Sequence, residues 1–198
     1  AVLEAGDGDW SFPAPMVKRG DRWVFDTDAG REEVLNRRVG RNELDTVQTL
    51  LAIVDAQREY AASDPDHNGI NDYATKFRSS PGKKDGLYWP TKAGEPQSPL
   101  GPLVAHAVRE GYGGAAKASG PIAYHGYYYR ILTAQGKAAP GGAFNYVVNG
   151  RLFGGFAVVA WPASYGNSGV MSYLVNHEGV VYQKDLGPNS AAVATKMK

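Results

Sequence analysis

Apolar and polar positions change their period along the 198-residue chain. Between 42 and 62, Leu44, Val47, Leu51, Val54 and Ala61 recur at helical spacing, with Leu50, Ile53 and Tyr60 widening the stripe. The spacing predicts a helix about 30 Å long at 1.5 Å per residue, opened by Asn42 and Asp45 in the manner of a capping box. So apolar a stripe must lie along a sheet. A shorter helix is expected from an Asp28 cap to Gly40, with Glu32 and Glu33 early and Arg37 and Arg38 late, as the helix dipole favours.

From Tyr124 the period falls to two. Strands are expected over 127–133, 153–161, 170–175 and 180–183, the last two joined by an Asn176-His177-Glu178-Gly179 turn. Near the start, 10–12, 16–17 and 22–26 read as short strands around a turn at 18–21, with Pro13 and Pro15 holding the first to an edge or bulge. Residues 103–110 read as a short helix, 111–120 as a loose Gly/Ala-rich connection, and 189–198 as the start of a last helix. The fold class is α+β: a long helix packed on an antiparallel sheet, preceded by short strands. Residues 1–40 are read as the remnant of a truncated N-terminal region and 41–198 as the main domain. Trp10, Phe12, Trp23 and Phe25 are expected to pack on a neighbouring chain or on the main domain.

Charge and composition narrow the function. Lys+Arg 21 against Asp+Glu 20 leaves a net charge of +1, no surplus for a nucleic-acid backbone. No run approaches the ~18 apolar residues of a membrane span. With Cys 0 there are no disulfides, thiolate metal sites or cysteine nucleophile. Residue 1 is Ala and no export signal is visible, so the native termini are expected to be missing.

Three stretches invite chemistry. Gly166-Asn167-Ser168-Gly169 is similar to the nucleophile turn of chymotrypsin-like proteases, but no acid stands between His106 and Ser168 except Glu110, too near His106 for a triad. A Gly-rich turn before a strand is the reading adopted. His67, His106, His125 and His177 are scattered without metal-ligand spacing, although His125 lies in an aromatic run that could line a cleft. In 64–72, oxygen ligands at Asp64, Asp66, Asn68, the Ile70 carbonyl and Asp72, with Gly69 at the sharp turn, follow the order of a calcium loop. Position 12 is Thr75 instead of a bidentate acid, so a structural Ca2+ site here would be weak, roughly 10⁻⁴ to 10⁻³ M. Asx-turns without metal explain the same residues.

Several sequence words carry a resemblance. They are Gly40-Arg41-Asn42-Glu43-Leu44 through Gln57-Arg58-Glu59-Tyr60, Lys83-Lys84-Asp85-Gly86-Leu87-Tyr88-Trp89-Pro90, Tyr124-His125-Gly126-Tyr127-Tyr128, Val148-Asn149-Gly150-Arg151 and Tyr182-Gln183-Lys184-Asp185-Leu186-Gly187-Pro188. Together they resemble a family of exported bacterial proteins known as domain of unknown function 2950, which implies a periplasmic or extracellular place and names no activity. The long helix with Gln57-x-x-Tyr60 ahead of a sheet also resembles the globular heads of type IV pilins and pseudopilins. The expectation is a non-catalytic, exported structural or interaction protein that works through protein partners or self-association. The rival is an envelope enzyme or ligand-binding domain using an aromatic cleft around 124–130.

Overall fold

The computed structural model describes residues 2–3, 5–7, 10–67, 69–112 and 123–198. Five short strands come first: β1 (Val2–Leu3), β2 (Gly6–Asp7), β3 (Trp10–Ser11), β4 (Met16–Arg19) and β5 (Arg22–Phe25). β1, β4 and β5 form one antiparallel sheet in that order, and β2 pairs with β3. Gly20, at φ +62°, makes the tight turn between β4 and β5.

Helix α1 (Thr27–Ser63) then runs for 37 residues without a break. Two helices were expected, split near Gly40. The cap is Asp26, two residues before Asp28, its carboxylate accepting the Ala29 N–H at 3.1 Å. Asn42 does not cap a second helix; its side-chain amide donates to the Ser168 carbonyl at 2.9 Å. Arg38 also reaches this turn through the Asn167 side chain. Anchors on both sides of Gly40 hold the helical path where local preference alone would let it end.

The buried face of α1 is displaced from the apolar stripe. Leu50, Ile53, Val54, Ala56 and Tyr60 are buried as expected of that side, but Leu44 is 71% exposed. Thr46 and Thr49 take the inward positions nearby. Their hydroxyls bond the carbonyls one turn back, Asn42 at 2.7 Å and Asp45 at 2.8 Å, so they enter the core without an unmade hydrogen bond.

After a loop segment come α2 (Gly101–Arg109), β6 (Tyr127–Leu132), β7 (Ala134–Gln135), β8 (Phe144–Asn145), β9 (Val147–Val148), β10 (Arg151–Leu152), β11 (Ala157–Pro162), β12 (Met171–Asn176), β13 (Val181–Asp185) and α3 (Ser190–Ala194). The connection read over 111–120 lies, from 113 onward, outside the described residues. β13-β12-β11-β6 make a four-stranded antiparallel sheet. β11 starts at Ala157, four residues later than its apolar run suggested. Gly155, at φ +133°, breaks the pairing, and Phe153 turns out to solvent.

Alternation sorts the sheet's two faces. Tyr129 lies on the α1 side, its hydroxyl 3.3 Å from that of Thr46. Arg130, the next residue, lies on the other side and donates to the Ala194 and Met197 carbonyls of the α3 segment. β11, buried along its whole length, is the middle of this sandwich of helix, sheet and short helix. The chain is α+β, with its long helix on an antiparallel sheet.

Candidate functional site

The Ser168 turn has a packing explanation. The Ser168 hydroxyl donates to the Ser164 carbonyl at 3.1 Å and accepts the Ser164 N–H at 2.9 Å. Gly169 is glycine because the Tyr127 phenol fills the space of a side chain; a Cβ there would lie 2.0 Å from the phenol oxygen. Glu43 completes the mooring, its carboxylate accepting the N–H groups of Val170 and Met171 at 2.9 and 3.0 Å. Arg38, Asn42 and Glu43, one face of α1, thus bind one turn of the sheet.

The 64–72 loop begins at Asp64, which ends α1 in the left-handed region at φ 41°. Its carboxylate accepts the Gly69 N–H at 2.9 Å, an Asx-type closure. Arg151 of β10 comes between two of the expected ligands, 3.1 Å from Asp72 and 3.6 Å from Asp66. The Ile70 carbonyl accepts the Asp72 N–H at 3.0 Å, and Asn68 lies outside the described residues. Among the described residues no three His, Cys, Asp or Glu side chains gather as metal ligands do. Sequence reading missed Arg151, whose partners lie some 80 positions away.

His125 sits at a crossing of elements. Its Nδ1 is 3.4 Å from Asp45 of α1, and its Nε2 is 3.5 Å from Glu110, just past α2. Glu110 also takes His106 at 3.3 Å and the Tyr124 hydroxyl at 3.2 Å. The Tyr124 ring lies 4.0 Å from the imidazole, with Tyr112 edge-on to both. Burial, with the Glu110 charge adding, pushes the Tyr124 phenol up, and burial pushes Tyr129 up to about 12. The rival reading places an aromatic cleft around 124–130, and there His125 meets two carboxylates. A general acid–base, however, needs a ring nitrogen within reach of its substrate, and both nitrogens here face side chains of this chain.

A groove of about 860 Å³ runs between the end of α1 at Glu59 and Ser63 and the loops as far as Pro99. Its aromatic face carries a cation already: Lys84 lies over the Trp89 ring. Such stacking occupies the surface a flat ligand would use.

The N-terminal sheet presents the opposite case. Register puts Leu3, Met16 and Phe25 on one face, with Trp23 beside Phe25. Phe12 packs 5.7 Å from Phe25 and 6.4 Å from Trp10, and the group encloses a shallow cup of about 330 Å³. Trp10, Phe12, Trp23 and Phe25 all remain 43–58% exposed. The ring–ring contacts of this group, Trp10 with Phe12 and Phe12 with Phe25, lie within the N-terminal strands and their loops.

A family model described as Protein of unknown function (DUF2950) matches residues 1–198. No curated protein and no solved structure matches the chain. No helix among the described residues is long and apolar enough to cross a membrane.

Proposed function

The chain belongs to the family Protein of unknown function (DUF2950), and from that premise we propose that it is a non-catalytic interaction protein of the bacterial envelope. Its binding face is the N-terminal sheet. The observation that carries this reading is the cluster of Trp10, Phe12 and Phe25, in which Trp10 meets Phe12 edge-on, Phe12 lies tilted against Phe25, and all three still face water. Burying a fully exposed ring is worth roughly 1.5–3 kcal/mol; these rings are already about half covered, so a partner closing the cup gains about half of that from each. Contiguous aromatic exposure of this kind marks association surfaces. The envelope setting is the one the sequence resemblance implies.

The test compares the wild type with a Trp10→Ser, Phe25→Ser double variant in sedimentation velocity and in pull-downs from native envelope. The expected result is an association present in the wild type and lost in the variant, with the melting temperature of the two proteins alike. Equal association by both overturns the assignment.

A further inference from the structure

The face of the main sheet opposite α1 is only half covered. α3 shields Arg130 and the middle of β11, while Leu132, Ala157, Leu174 and Tyr182 floor a cleft of about 480 Å³ beside it. These four lie on one face because Leu132 pairs with Ala157 and Leu174 pairs with Tyr182 across the antiparallel ladder. The volume falls within the range of small-molecule pockets, roughly 300–1,000 Å³.

Both walls of the cleft are built in advance. On one side the Gln135 amide donates to the carbonyls of Pro140 and Gly142 at 2.8 and 2.7 Å, and its oxygen accepts the Tyr146 hydroxyl at 2.8 Å. This fixes the 136–142 turn as a wall. On the other side Arg130 holds the Ala194 and Met197 carbonyls, which fixes the end of the α3 segment. A cavity held open by hydrogen bonds loses little entropy when it fills.

One polar group at the margin is left over. His177 lines the cleft from the β12–β13 turn, edge-on to Tyr146 and Phe156. Its Nδ1 is buried and has no hydrogen-bond partner among the described residues. It lies against Gly155, where even a Cβ would come within 3.0 Å of it. An unprotonated Nδ1 is the form that leaves no buried N–H unpaired there, and it places the ring's N–H on Nε2.

We propose that this cleft is a binding site for a small, flat, largely apolar molecule that carries one acceptor oxygen, lying on the floor that Leu132, Leu174 and Tyr182 make between the 136–142 turn and the end of the α3 segment, with His177 Nε2 as donor. The site is separate from the N-terminal cup and stands whether or not that cup binds a partner. The probe is 1-anilinonaphthalene-8-sulfonate, an aromatic dye with one acceptor group, followed by its fluorescence. One saturable site is expected on the wild type. Ala139→Trp, which fills the cleft from its rim, abolishes it. His177→Phe keeps the ring packing and removes the donor, weakening the dye about tenfold, the equivalent of one hydrogen bond at about 1.4 kcal/mol. Phe12→Ser with Phe25→Ser leaves binding unchanged. If Ala139→Trp does not fold, Met197→Trp blocks the same cleft from the helix side. No saturable binding, binding indifferent to both blocking variants, or binding lost with the N-terminal pair overturns the proposal.

Discussion

Gln57 and Ala74 exchange two hydrogen bonds: the Gln57 amide donates to the Ala74 carbonyl at 2.9 Å, and its oxygen accepts the Ala74 N–H at 2.8 Å. Gln57 is wholly buried, so this pairing lets a polar side chain enter the core. It also clamps the chain returning from the 64–72 loop onto α1. Tyr60, one turn on, adds a second clamp through the Lys84 carbonyl at 2.8 Å.

Gln57→Leu keeps the volume and strands both Ala74 groups. Each buried unsatisfied group costs about 1–3 kcal/mol, so a loss of at least about 2 kcal/mol is expected in urea unfolding. A change under about 0.5 kcal/mol, the size of an ordinary surface substitution, would show that the pairing contributes nothing.

Gly40→Ala has the opposite sign. Gly40 is helical, and a Cβ there meets nothing within 4 Å. Ala is favoured over Gly in a helix interior by about 0.5–1 kcal/mol. The denaturation midpoint of the variant is expected to rise; a fall would mean that the helix gains from a flexible point there.

Gly169→Ala is expected to destabilise the fold through Tyr127 specifically. A double-mutant cycle reads this: the cost of Gly169→Ala falls sharply in a Tyr127→Leu background, because the phenol that meets the new methyl is gone. Strict additivity of the two changes would contradict the assignment.

Acid titration isolates Asp85. Lys76 at 2.8 Å, with the Ser80 N–H and hydroxyl, holds its carboxyl down at about 2. A depressed carboxyl contributes stability that is present above its unfolded value, 3.8, and is lost as pH falls toward 2. The gap in urea midpoint between the wild type and Asp85→Asn is therefore expected to be constant above about pH 5 and to close between 4 and 2. A gap unchanged across that interval counts against the ion pair.

Arg151→Gln tests the two readings of the 64–72 loop together. It removes the guanidinium that lies between Asp66 and Asp72. On the calcium reading, millimolar calcium raises the melting temperature of this variant more than that of the wild type, and chelator reverses it. No response in either protein leaves the Asx-turn reading alone.

Sequence carried the parts of this fold that repeat locally. The apolar run of β11, the β12–β13 turn and the inward side of α1 at Leu50, Ile53, Val54 and Tyr60 all follow from period and turn chemistry. What stayed hidden depends on partners far along the chain. α1 continues through Gly40 because Arg38 and Asn42 meet a turn more than 120 residues away. His125 finds Asp45 and Glu110 only when α1, α2 and β6 converge. Gly169 reads as part of a nucleophile turn until Tyr127 is seen to occupy its missing side chain. Candidate chemistry at Ser168 and in the 64–72 loop was visible as residue types; the groups that engage those residues were not.

At 37 residues and 1.5 Å each, α1 is a beam about 55 Å long. Arg37 fastens the N-terminal strands to it, donating to the Ser11 carbonyl at 2.7 Å and the Ser11 hydroxyl at 2.9 Å. Farther along, the same beam is bolted to the main sheet by Asn42 and Glu43. The aromatic cup is therefore carried on an outrigger. Whatever settles on it is kept at a set stand-off and bearing from the four-stranded sheet. Arg37 and Asn42 stand five residues apart, about 7.5 Å of helical rise, so the same short stretch of α1 carries both the fastening of the strands and the anchor on the sheet.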